Sequence, residues 1–153
     1  MAASEGPQPE GRPCCGRRRF IRNSHDKAAD ARFPLGQAFA CARCGIAHAF
    51  RTQRNMKIHS AIAVLAVALA AVLRLDAPSW CAIILCITVV MAAECFNTAL
   101  EAVVDLVTDD YHDLARVAKD CAAGAVYVCA VGSVAVAAAV FLPPLAALVA
   151  TAL

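Results

Sequence analysis

Three apolar runs decide what this chain can fold into. Residues 58–75 are nearly all Ala, Val, Leu and Ile, a second run starts at Trp80, and a third ends near Phe141. In hydrocarbon every backbone N–H and C=O must find a partner within the protein, so runs of this length cross a bilayer as helices. Asp76-Ala77-Pro78-Ser79 reads as a tight turn and implies an antiparallel return. The composition agrees: 61% of the 153 residues are hydrophobic, 17% are charged and the mean hydropathy is +0.63, which excludes an ordinary soluble domain. The expected fold is an all-α membrane protein with spans at 58–75, 80–107 and 120–142. Pro143-Pro144 is expected to stop the third span and leave 143–153 as an extracytoplasmic tail.

The formal net charge of +2 conceals an asymmetry, because eleven of the fourteen Lys and Arg residues precede the first span. Arg12, Arg17, Arg18, Arg19, Arg22 and Lys27 are the first of them, and Arg51, Arg54 and Lys57 the last. The positive-inside rule then places the N-terminus in the cytoplasm. Residues 1–33, rich in Pro, Gly, Ala and Arg without periodicity, read as a disordered basic tail. The tail suits anionic lipid head groups; no nucleic-acid-binding module accompanies it, so no nucleic-acid partner is expected. Within 34–54, Leu35, Phe39, Ala42, Ile46, Ala49 and Phe50 fall on one helical face, which predicts an amphipathic helix on the cytoplasmic membrane surface. Five of the nine cysteines lie in apolar segments as small packing residues, and Cys41-x-x-Cys44 lacks the partners of a zinc site.

The second run holds the residues that do not belong in lipid. At about 100° per residue, Glu94, Asn97, Glu101 and Asp105 share one stripe of a helix. Acids are costly inside a membrane span and mark function there. A helix over 80–107 is about 42 Å long against a hydrocarbon core of about 30 Å, so one end must project. With Trp80 anchored at the outer interface, Glu94 lies about 21 Å in, inside the cytoplasmic leaflet, while Glu101 and Asp105 emerge at the boundary. Beyond them come a charged connection, residues 108–118, and then Lys119-Asp120.

These residues together resemble the bacterial diacylglycerol kinase/undecaprenol kinase family. The resemblance rests on Glu94-x-x-Asn97-Thr98-Ala99-x-Glu101-x-x-x-Asp105, Tyr111-His112, Ala118-Lys119-Asp120-x-x-Gly124-Ala125-Val126 and Asn55-Met56-Lys57-Ile58-His59, and covers residues 34–142. It implies a homotrimer in the bacterial plasma membrane, each subunit with a surface helix and three spans, that transfers the γ-phosphate of ATP to a lipid hydroxyl with Mg2+. Glu94 then matches the general base, with Asn97 beside it to hold the phosphate or the hydroxyl. Glu101 matches the magnesium ligand on ATP, and Lys119 the cation that meets its phosphates. Asp110, Tyr111, His112 and Asp120 stand where the family contacts nucleotide. One position departs from the pattern: Gln53 occupies the place of a magnesium-binding Glu, and can offer the metal only a neutral carbonyl oxygen. Asn55-x-x-Ile58-His59 resembles the undecaprenol kinase branch, with His59 near the lipid substrate.

Undecaprenol is thus the expected acceptor and diacylglycerol the alternative. A reading from another class is a small transporter in which Glu94 binds a cation or a proton. That reading calls for an acid at mid-membrane and leaves the acids on the projecting helix end without a role.

Overall fold

The computed structural model describes residues 35–108 and 110–152; the basic tail expected over 1–33 lies outside the described residues, as does Asp109. Among the described residues the chain forms four helices and no strand: α1 (Leu35–Thr52), α2 (Arg54–Val72), α3 (Ala77–Val107) and α4 (Asp113–Ala152). The chain divides inside α1, between Ala47 and His48, into two compact units. In the first of these, the described residues of α1 leave Leu35, Phe39 and Ile46 exposed. An apolar stripe left open in this way is what a helix lying in a membrane interface turns toward lipid.

In the second unit, α2, α3 and α4 are each long and apolar enough to cross a membrane. Their outward side chains, among them Val64, Leu65, Leu85 and Val128, are more than half exposed. Lipid makes such exposure inexpensive, because hydrocarbon tails are as apolar as the side chains they meet. A small core forms where α2 ends and α3 begins: Ala70, Ile83 and Phe141 are buried, with Leu69, Trp80 and Ile87 packed around them.

Backbone chemistry makes the α2–α3 turn sharp. The N–H of Leu75 bonds to the C=O of Ala70 (3.1 Å), and that of Arg74 to Ala71 (3.2 Å). This is the Schellman closure, with Arg74 at its left-handed position (φ 51°) where glycine is usual. Asp76 then opens α3, its Oδ1 accepting from the N–H of Ser79 at 3.3 Å. Pro78 follows within the first turn, where a missing N–H costs no helical bond. The Ser79 hydrogen bond holds the Asp76 carboxyl below its ordinary pKa.

Helix boundaries differ from the sequence reading, most of all in α2, α3 and α4. Helix α2 starts at Arg54 rather than 58, because Gln53 alone is extended (φ −95°, ψ 122°) and separates it from α1. Helix α3 begins at Ala77 rather than Trp80, where Asp76 caps it. Helix α4 begins at Asp113 rather than 120, since His112 Nδ1 accepts from the N–H of Leu114 at 3.1 Å and caps it. It also continues through Pro143 and Pro144 to Ala152. Each proline removes a single N–H donor, whereas ending the helix in apolar surroundings would strand many more polar groups. The cysteines expected as buried packing residues are also more open: Cys86, Cys95 and Cys129 are half-buried, and Cys81 and Cys121 are exposed.

Candidate active site

The polar stripe of α3 runs from buried to open along its length. Glu94 is 1% exposed, Asn97 7%, Glu101 is half-buried and the Asp105 side chain is 63% exposed. Glu94 and Glu101 meet His59 and Gln53, at and just before the start of α2, and Asn97 lies between them on the stripe.

Gln53 is placed by the break it makes. Its N–H closes α1 on the C=O of Ala49 (2.8 Å), and its side chain caps nothing. The amide Nε2 instead donates to Glu101 Oε2 at 2.8 Å. From one turn earlier on α3, Asn97 Nδ2 donates to Glu101 Oε1 at 3.0 Å. Both oxygens of this carboxylate are therefore held by neutral amide donors, which fixes its orientation without cancelling its charge. Asn97 Oδ1 is left buried with no hydrogen bond among the described residues.

Glu94 lies two turns deeper. His59 Nε2 stands 3.4 Å from its Oε1, too long for a formed hydrogen bond, and that oxygen has no other partner among the described residues. Thr98 is buried beside it and donates its hydroxyl to the Glu94 backbone C=O (2.8 Å), so it does not compete for the carboxylate. A cavity of about 180 Å³ opens next to His59, between α2, α3 and α4. Ala63, Ile87, Val90, Met91 and Val134 make its walls apolar, and His59 lines it too. Ser133 also lines it, but its hydroxyl is bonded to the C=O of Cys129 at 2.8 Å.

The remaining candidates lie around the end of α3 and the start of α4. Lys119 Nζ bonds Asp105 Oδ1 across the α3–α4 connection. Asp120 pairs with Arg116 one turn earlier at 3.0 Å, and Tyr111 donates to Asp113 Oδ1 at 3.1 Å. His112 is engaged as the α4 cap, and Asp110 closes a local turn in which its N–H donates to the Thr108 hydroxyl (3.1 Å). The structure thus brings Gln53, Asn97 and Glu101 together and sets His59 on Glu94. Its described contacts do not join Asp110, Tyr111, His112, Lys119 or Asp120 to that group. Pairing of Asp105 with Lys119 and of Arg116 with Asp120 was not foreseen; the opposite charges four residues apart signalled the second, and nothing local signalled the first.

This arrangement places a buried carboxylate behind a histidine that lines an apolar cavity, and an oriented carboxylate two turns along the same helix. A profile described as prokaryotic diacylglycerol kinase matches residues 40–141. A diacylglycerol kinase of Synechocystis sp. is 46% identical over 112 residues, which cover 72% of this chain and 64% of that protein. An undecaprenol kinase of Bacillus subtilis is 41% identical over 109 residues, 71% of this chain and 89% of that protein. With two thirds of its length inside the profile and its polar stripe, Gln53 and Lys119 all within that stretch, the chain belongs to the prokaryotic diacylglycerol kinase family.

Proposed function

We propose that the chain is a lipid kinase that moves the γ-phosphoryl group of ATP to the hydroxyl of undecaprenol, forming undecaprenyl phosphate. The observation that carries this reading is the two-depth stripe of α3: Glu94 buried against His59, which lines an apolar cavity, and Glu101 two turns along the same helix, held by Gln53 and Asn97. A lipid hydroxyl and a water-borne nucleotide meet only at such a boundary. Glu94 accepts the proton of the lipid hydroxyl, the freed oxygen attacks the γ-phosphorus in line, and ADP leaves. Lys119, exposed and on the same side as Asp105, offers a point charge to the phosphates.

Magnesium fits the residues present. Mg2+ takes hard oxygen ligands and commonly uses one or two carboxylates together with substrate phosphates and waters. Glu101 supplies the carboxylate, the unpartnered Asn97 Oδ1 lies beside it, and Gln53 offers an amide oxygen in place of a charge. Bound there with ATP, the metal would offset charge on the transferring group. The described residues contain no cluster of three His, Cys, Asp or Glu that would hold a metal alone, which agrees with a site completed by nucleotide.

The protein acts in the bacterial plasma membrane, with its N-terminus and active site on the cytoplasmic side and as a homotrimer. Basic residues crowding ahead of α2 support that orientation. Gly124 and Gly132 on α4 have nothing within 4 Å where a side chain would be, so part of α4 is open to another helix. Undecaprenol is favoured over diacylglycerol by Asn55-x-x-Ile58-His59, the stretch that resembles the undecaprenol kinase branch. Purified protein given Mg2+, labelled ATP and either undecaprenol or diacylglycerol should label the polyprenol more efficiently. Label on diacylglycerol alone reassigns the substrate, and label on neither lipid refutes the kinase.

A further inference from the structure

A carboxylate taken out of water needs an opposing charge or hydrogen bonds, because its desolvation otherwise costs several kcal/mol. Glu94 is 1% exposed, and among the described residues one side chain stands opposite its Oε1: the imidazole of His59, at 3.4 Å. Glu101 is the other charged group acting on it, from the same helix, and its oxygens are already taken by Gln53 and Asn97. The described hydrogen bonds and ion pairs include no titratable group of α4 on either member of the His59–Glu94 pair.

His59 has a second neighbour. It lines the apolar cavity, where Ser133 is turned to its own backbone and the walls are otherwise apolar or thiol. The imidazole therefore separates the space that suits a hydrocarbon chain from the carboxylate that must meet the chain's hydroxyl. Five helical residues separate it from Gln53, the extended residue that precedes α2, so the short stretch 53–59 contacts both Glu94 and Glu101.

Taking the kinase reading as its basis, we propose that His59 is a positioning residue for the transfer. Its Nε2 aims the Glu94 carboxylate toward a hydroxyl arriving from the cavity, and the contact tightens from 3.4 Å to a hydrogen bond once the lipid closes the cavity to water. The role acts through Glu94 and requires a donor at the Nε2 position. It requires neither the aromatic ring nor a fixed charge.

Three substitutions separate this from packing. His59→Phe keeps the ring's bulk and removes the donor; His59→Gln keeps a neutral donor at nearly the Nε2 position; His59→Ala removes both. All are assayed as detergent-solubilised full-length protein of wild-type size, with polyprenol and Mg-ATP varied separately. His59→Phe and His59→Ala should each lower kcat about 10- to 100-fold, the scale of one lost hydrogen bond to a charged group, with KM for Mg-ATP unchanged. His59→Gln should restore kcat to within a few-fold of wild type, and added imidazole should partly rescue His59→Ala. Wild-type kcat in His59→Phe would overturn the proposal, and so would a loss in His59→Gln equal to that in His59→Ala. A KM effect on Mg-ATP without a kcat effect would do the same. If wild-type protein labels no lipid, the kinase reading itself has failed, an outcome distinct from all of these.

Discussion

Gln53 and Glu101, separated by 48 positions in the chain, are joined by a hydrogen bond of 2.8 Å from amide to carboxylate. That bond ties the only non-helical residue between α1 and α2 to an acid in the C-terminal half of α3. Replacing Gln53 with Glu should have opposite effects with and without metal. Without Mg2+ two carboxylates face each other, and the thermal midpoint should fall. With Mg2+ and nucleotide they share a cation, and the magnesium titration should shift to lower concentration. A titration unchanged from wild type would show that Gln53 does not face the metal. Gln53→Ala loses the bond outright and should cost about 1.5–3 kcal/mol, the range for hydrogen bonds to charged groups.

Glu94→Gln tests the base directly. The substitution keeps the shape, and the bond from Thr98 goes to the backbone of residue 94, so α3 loses no contact of its own. Lipid phosphorylation should fall by at least about 10²- to 10⁴-fold, the usual contribution of a positioned base. Particle size in detergent should not change. Turnover near wild type would remove Glu94 from the mechanism.

Lys119 calls for a different signature. Its bond to Asp105 joins side chains that are 42% and 63% exposed, and pairs this open contribute only about 0.2–1 kcal/mol. Lys119→Met should therefore leave thermal stability nearly unchanged while raising KM for ATP and lowering kcat. A large stability loss with normal nucleotide affinity would make Lys119 a structural clamp instead.

The α3 stripe and the apolar helices could be read from the chain alone, because both are properties of one helix and its 3.6-residue period. Glu94, Asn97 and Glu101 fall on one face whatever surrounds them. The break at Gln53 could not be read, since Thr52-Gln53-Arg54 holds neither Gly nor Pro, and its side chain is spent on a residue of another helix. The approach of His59 to Glu94 and of Lys119 to Asp105 depends on how the helices pack, which no local pattern encodes. Pro143-Pro144 misled for the converse reason: proline is a strong local stop signal, and an apolar setting overrides it.

Asp76 gives a pH dependence whose sign follows from its cap. Its carboxyl is held below the ordinary value by the hydrogen bond from Ser79, so the folded state binds this proton less readily than the unfolded chain. The contribution is full above the unfolded pKa of about 3.8 and is lost as pH falls through the lower folded value. Asn is an equally good cap and does not titrate. Asp76→Asn should match wild type near neutral pH and lose less stability than wild type between pH 5 and pH 3, on the order of those limits. Equal acid losses in the two proteins would show that the cap does not contribute.

Arg74 carries a conformational cost that can be removed. It occupies the left-handed position of the Schellman closure at φ 51°, where a β-carbon is disfavoured by about 1–2 kcal/mol. Glycine there relieves the strain, although it also loosens the unfolded chain, which returns part of the gain. Arg74→Gly should stabilise the protein by about 0.5–1 kcal/mol on balance, read as a higher midpoint of denaturant unfolding in detergent. The turn lies at the end of α2 away from Glu94 and Glu101, so lipid phosphorylation should be unaffected. Destabilisation would mean that the Arg74 charge, at the membrane interface, contributes more to anchoring α2 than the backbone strain costs.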